Sequence, residues 1–143
     1  MKSALITKTS ITIDASPKQV WKALTTPALI KKYLMGTNVT SDWEEGSTIT
    51  YEGEYQGKKY YDKGIIKKIK PEKTLQSTYL SSMSGKEDKP ENYKWVTYKI
   101  AKKEGKTTLT LTQDNNDSEK EKEHSTENWE MVLKKLKEVV EKK

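Results

Sequence analysis

The side chains best able to do chemistry in this chain are aromatic ones with a polar tip. It has eight tyrosines, four tryptophans and no phenylalanine. Every bulky aromatic therefore brings an O–H or N–H that needs a partner when buried. Tyr51, Tyr55, Tyr79 and Tyr98 fall in segments of alternating pattern, and Trp129 opens an apolar stripe near the C-terminus. Hydroxyls set into apolar walls suit small-molecule recognition, where apolar area supplies affinity and a few polar atoms fix orientation. Ionisable candidates are fewer. His124 is the only histidine, and one histidine among scattered acids makes a poor zinc set. It reads as an exposed or capping residue in preference to a general base. Asp62 stands beside Lys63 in a charged hairpin and is expected to pair at the surface, and alternation turns Glu54 outward. Cysteine is absent, so there is no thiol chemistry and no disulfide framework. No nucleophile elbow, phosphate loop or dinucleotide fingerprint occurs. Catalysis needs perturbed groups gathered in a cleft. None is visible, so the chain is expected to be non-enzymatic, with no metal and no cofactor.

The elements that must position these residues follow from periodicity. Trp129, Val132, Leu133, Leu136, Val139 and Val140 recur at helical spacing, so Ser118 to Lys143 reads as one long amphipathic helix. Such a helix needs a partner surface for its stripe, and most of what precedes it reads as strand. Ser3 to Ile13 forms a first strand. Ser16 and Pro17 open a short helix, and Thr26-Pro27 ends it and starts a second, to Leu34. Strands then follow at Asn38–Trp43, Ser47–Tyr55, Tyr60–Ile69, Thr74–Leu80, Tyr93–Ala101 and Thr107–Gln113, with a polar loop from Ser81 to Pro90. Strands and helices segregate, which is the pattern of an α+β fold with an antiparallel sheet. One domain spanning residues 1–143 is expected. Carrying the alternation inward gives a lining of Met35, Tyr51, Tyr55, Ile66, Leu75, Tyr79, Tyr98, Leu109, Leu111, Trp129, Leu133 and Leu136. Tyr93 and Trp95 fall on the outer face, where they suggest a contact surface.

Charge limits the partners. The net charge is +6 and charged residues make up 34% of the chain, yet every basic residue is lysine. Arginine is the usual bidentate reader of guanine and phosphate, and these lysines are interleaved with glutamates. A solvated surface is the reading, with no nucleic acid as partner. No apolar run approaches the roughly 20 residues of a membrane span, and the N-terminus lacks a signal-peptide core. No membrane association and a cytoplasmic location are expected.

The ordered set of motifs resembles a known family. The run Ile11 to Pro27 (ITIDASPKQVWKALTTP) is similar to the opening of the START-like, or birch-pollen-allergen-like (SRPBCC), superfamily. Within it the chain resembles the branch similar to the C-terminal domain of the activator of heat-shock protein 90 ATPase. Trp43 to Thr48 (WEEGST) resembles that branch's acidic-Gly turn, and Gly64 to Leu75 (GIIKKIKPEKTL) its Gly–apolar–Pro–Leu strand pair. Gly105 to Thr112 (GKTTLTLT) resembles its final hairpin, and Asn128 to Leu136 (NWEMVLKKL) its last helix. The chain departs from the pattern at Tyr33, where tryptophan is frequent, at Gln113-Asp114-Asn115, and at Asn128, where glycine usually precedes the tryptophan. Tyr33 and Gln113 fall at the usual pocket mouth, so the relatives' ligand preferences do not carry over.

The resemblance implies a helix-grip fold. In it a curved antiparallel sheet of about six or seven strands wraps the long C-terminal helix, two short helices follow the first strand, and a cavity lies between sheet and helix. The expected function is non-enzymatic binding of a small hydrophobic or aromatic ligand by Met35, Tyr51, Tyr55, Tyr79, Tyr98, Trp129 and Leu133. The alternative is a chaperone-associated interaction module, with a chaperone or a homodimer contact as partner and a filled interior. A cyclase-like enzyme is a third reading, and it requires an inward acid or histidine. Fold alone does not choose among them.

Overall fold

A computed structural model describes residues 5–34, 36–81 and 85–141, with only the backbone of Tyr55. Met35 and the Tyr55 side chain, both expected at the site, lie outside the described residues. So do residues 82–84 of the polar loop and the outermost residues expected in the first strand and last helix.

The elements in chain order are β1 (Thr7–Ile13), α1 (Pro17–Thr25), α2 (Pro27–Tyr33), β2 (Asn38–Ser41), β3 (Thr48–Tyr55), β4 (Lys58–Lys70), β5 (Thr74–Tyr79), β6 (Lys94–Lys103), β7 (Lys106–Gln113) and α3 (Glu119–Glu141), with a 3₁₀ turn at Pro90–Asn92 before β6. The strands form one antiparallel sheet in the order β1-β7-β6-β5-β4-β3-β2. β1 crosses to the far side to pair with β7, Ile13 opposite Thr107 and Thr7 opposite Gln113. This is the curved-sheet, helix-grip arrangement that the sequence predicts.

Local chemistry accounts for the boundaries. Ser16 Oγ accepts from Gln19 N–H at 3.2 Å, and Gln19 Oε1 accepts from Ser16 N–H at 3.0 Å, which is a complete capping box for α1. Thr26 closes α1 and opens α2, with Pro27 in the first helical position. Tyr33 is buried and donates its hydroxyl to Ala23 O at 2.9 Å, tying α2 to α1. It is a core residue, not the mouth residue its family position suggests. β2 is shorter than expected, because Trp43 turns to φ 58° and donates its N–H to Ser41 Oγ at 3.0 Å. β4 and β6 run longer than expected. Gln56 and Gly57 both have positive φ (51° and 81°), as do Glu104 and Gly105 (47° and 81°). Two such residues make a tight turn whose twist matches the strands, so pairing continues to Tyr55–Lys58 and Lys103–Lys106.

β4 is the long, bent member. Its first half pairs with β3, from Lys58 to Ile65, and its second half with β5, from Ile66 to Lys70. A bulge between Ile66 and Lys68 shifts the register there. At Gly64 the β5 backbone comes so close that an added Cβ would lie 1.7 Å from Thr78 O. Only glycine permits that approach.

The core lies where α3 comes down on β1 and meets α2 and α1. Ile13, Val20, Leu24, Leu109, Leu111, Val132, Leu133 and Leu136 are buried there. No described helix is long and apolar enough to cross a membrane.

Candidate functional site

Away from the core a cavity of about 730 Å³ opens between the sheet and α3. Tyr51, Tyr60, Asp62, Tyr79, Val96, Tyr98 and Gln113 form its sheet wall. His124, Ser125, Asn128, Trp129 and Val132 of α3 face them, and Leu34, Thr37, Glu54, Ser81, Lys94 and Glu121 complete the lining.

Of the expected site residues, Tyr51, Tyr79, Tyr98 and Trp129 border this space. Leu133 does not, and neither do Ile66, Leu75, Leu109, Leu111 and Leu136, all of them buried in the core. Alternation identifies the inner face of a strand. It does not say at which end of that face the helix closes down, and these six residues lie in the closed part.

Two aromatic pairs shape the walls. Tyr51 and Tyr79 meet edge to face, with centroids 5.5 Å apart at 76°. Tyr98 and Trp129 do the same at 6.3 Å and 87°. Trp129 is held by a buried polar chain. Its Nε1–H donates to Gln113 Oε1 at 2.7 Å, and Gln113 Nε2 donates to Asn116 Oδ1 at 3.1 Å. Ser125 Oγ donates to the same Asn116 oxygen at 3.0 Å. Asn116 Nδ2 in turn donates to Leu5 O at 2.9 Å and Thr7 Oγ1 at 3.2 Å. Because each member is satisfied by the next, the chain fixes the indole orientation and joins α3 to β1 and β7.

Asp62 is the main correction to the sequence reading. It is only 7% exposed and accepts a hydrogen bond from the Tyr79 hydroxyl at 2.6 Å. Its neighbour Lys63 points the other way and pairs with Asp88. Cross-strand pairing of Tyr51 with Asp62 puts both on the concave face. The signal was available, since Asp62 shares parity with Gly64 and the buried Ile66. Adjacency to Lys63 was the wrong cue. Glu54 is exposed, as its parity requires, yet it borders the cavity. Sequence reasoning also missed Tyr60, which shares a 2.5 Å hydrogen bond with Thr37 across the cavity's edge. An added Cβ at Gly53 would lie 2.3 Å from the Tyr60 hydroxyl, so a glycine makes the room for it.

The ionisable groups have opposite tendencies. Burial pushes the Tyr51 phenol up to about 12, with the Asp62 charge adding to it and the Ser77 hydroxyl opposing. Burial, followed by the hydrogen bond to Asp62, raises Tyr79, and burial also raises Tyr98. These hydroxyls keep their protons near neutrality, and Tyr79 donates its own to Asp62. At the mouth, burial disfavours the Glu121 carboxylate. The Lys94 ammonium at 2.9 Å and the Asp117 N–H outweigh this and hold its pKa below the usual range. His124 is exposed there. Among the described residues no group of three or more His, Cys, Asp or Glu side chains could hold a metal ion.

The family described as Activator of Hsp90 ATPase homolog 1-like protein matches residues 14–141. The chain belongs to that family. The solution structure of ChR145 from Cytophaga hutchinsonii is similar at 43% identity and a TM-score of 0.84, covering 95% of this chain and 93% of that one. The Aha1 dimer from Colwellia psychrerythraea gives 22% identity and a TM-score of 0.75, with 96% of each chain covered. DynU16, from the dynemicin biosynthetic locus, gives 14% identity and a TM-score of 0.79 over 96% of this chain and 47% of its own. These last two are likenesses of fold. No curated protein matches the sequence. In this Activator of Hsp90 ATPase homolog 1-like protein two residues accompany Trp129 at the cavity. Gln113 receives the Trp129 indole, and Asn128 borders the space just before it.

Proposed function

We infer that this chain binds a small hydrophobic or aromatic molecule between its sheet and α3, without transforming it. The observation that carries this reading is a cavity of about 730 Å³ walled by Tyr51, Tyr79, Tyr98 and Trp129. Its size and its mixture of aromatic walls with a few polar atoms suit a ligand site. The non-catalytic part is supported by the tyrosines, whose phenols are shifted away from neutrality, and by the exposure of His124 at the cavity mouth. Asp62 does give the cavity the inward acid that a cyclase-like reaction needs. Product formation from any bound compound, lost in Asp62→Asn, would replace binding with catalysis. The first experiment is Trp fluorescence with thermal melting against fatty acids, sterols, flavonoids and polyketide-like aromatics. A ligand at a hundred times its Kd should stabilise the fold by about 2.7 kcal/mol, and Tyr51→Ala should abolish the shift. A panel without any shift would overturn the pocket reading.

A second reading rests on the outer face of the sheet. Tyr61 (50%), Ile65 (40%) and Trp95 (41%) are exposed there, with the Lys67 ammonium 5.7 Å from the Trp95 ring centroid. Exposed aromatics in a group suit a protein contact, and one fold relative is described as a dimer. A homodimer or a chaperone contact on this face would be read by sedimentation and by pull-down with the chaperone, each compared with Trp95→Ser.

A further inference from the structure

The acidic and basic residues bordering the cavity are three acids, Glu54, Asp62 and Glu121, against one lysine, Lys94, with His124 at the mouth. The chain as a whole carries a net charge of +6, so the acidic lining runs against its overall charge. Lys94 is already engaged, donating to Glu121 Oε1 at 2.9 Å and to Asn115 O at 3.0 Å. The innermost of the three acids, Asp62, is 7% exposed and lies opposite Tyr51 while accepting from Tyr79. We propose that the ligand held by this cavity carries a protonated amine on an aromatic or apolar body, with the amine seated against Asp62. The proposal rests on the pocket reading above and specifies its ligand class.

Three physical arguments support it. A charge brought out of water needs an opposite charge beside it. For an ammonium Asp62 supplies one, whereas a fatty-acid or aryl carboxylate placed there would face Asp62 and Glu54 with like charge. A carboxylate also has about four acceptor positions on its two oxygens, and the Tyr79 hydroxyl takes one of them. Finally, Tyr51 and Tyr79 meet edge to face, with the Tyr79 hydroxyl on Asp62, and an ammonium that reaches an aromatic face gains cation–π attraction. The aromatic body would then extend toward the Tyr98–Trp129 pair, with Val96 and Val132 in the same lining.

The test is calorimetric titration of the whole chain, at neutral pH, with three compounds of one skeleton: naphthylethylamine, naphthylethanol and naphthylacetate. The amine should bind at least about tenfold tighter than the alcohol, as a hydrogen bond to a charged group warrants, and the acid weakest. Asp62→Asn, checked for folding by thermal melting, should bring the amine to within about twofold of the alcohol. Equal binding of all three, or preference for the acid, would overturn the amine proposal while leaving the pocket reading intact. An amine preference that survives Asp62→Asn would overturn the seat at Asp62. If none of the three binds while compounds of the wider panel do, only this inference fails. If the wider panel is silent too, both fall. Should Asp62→Asn fail to fold, the order of the three compounds on the unaltered chain still decides.

Discussion

Tyr79 of β5 donates its hydroxyl to Asp62 of β4 at 2.6 Å, and the two strands carry no ladder pairing at those positions. The side chains therefore span a point where β4 is leaving β5 for β3. The bond holds Asp62 in the cavity and sets the edge-to-face contact of Tyr79 with Tyr51.

The buried tyrosines predict a specific alkaline weakness. Tyr51 has a folded pKa of about 12 against an ordinary 10.0. Below pH 10 both folded and unfolded chains keep the proton, so its contribution is fully present. As pH rises from 10 toward 12 the unfolded chain gives up the proton first, and stability falls. Each unit corresponds to about 1.4 kcal/mol. Urea melts across this range should show a decline that is shallower in Tyr51→Phe. Equal slopes in the two proteins would contradict the burial of this hydroxyl.

Trp129 carries the roof of the cavity and one end of the buried polar chain. Trp129→Ala should cost about 3–5 kcal/mol in chemical denaturation. A loss below about 1 kcal/mol would sink the model of a sheet gripping this helix. Gln113→Leu removes the acceptor of the indole N–H and one donor to Asn116, leaving the indole N–H without its partner while Asn116 keeps Ser125, Leu5 and Thr7, and should cost about 1–3 kcal/mol.

Gly64→Ala tests the crossing of β4 and β5. The new methyl would meet Thr78 O, which is backbone and cannot step aside. Destabilisation of about 1–3 kcal/mol or more is expected, whereas Gly85→Ala meets no atom within 4 Å and is strained only through its φ of 76°. Thermal melts that rank Gly64→Ala above Gly85→Ala in tolerance would contradict the close approach.

Thr108 offers the opposite sign. Its hydroxyl oxygen is buried with no hydrogen-bond partner among the described residues. Thr108→Val keeps the shape and the strand propensity while removing an unsatisfied polar atom. It should raise stability by about 1 kcal/mol. A lower melting temperature would mean that the hydroxyl does have a partner.

Much of the fold was legible because several residues speak locally. Gly57 and Gly105 mark the tight turns, Ser16 and Pro17 mark a helix start, and the stripe from Trp129 to Val140 marks α3. The inner faces of the strands were legible from alternation, which is why Tyr51, Tyr79 and Tyr98 were grouped with Trp129. Two kinds of information were not local. Whether an inner residue meets α3 or empty space depends on where the helix settles, and Leu133 and Leu109 give no sign of that. Gln113, Asn116 and Thr7 come from three separate segments, and no spacing in the sequence announces their hydrogen bonds.

The divided pairing of β4 has a mechanical consequence. Among the described residues, Lys58 to Asp62 hold β3 on one side and no strand on the other, and the bridge from Lys63 to Leu80 is the first tie across to β5. The outer hairpin is a cantilever rooted at Gly64. It carries Tyr51 and Tyr60, while Tyr98 and Gln113 belong to the fully laddered part of the sheet that also anchors Trp129. A guest wider than the resting cavity would be accommodated by flexing that outer leaf, with little disturbance to the anchored side.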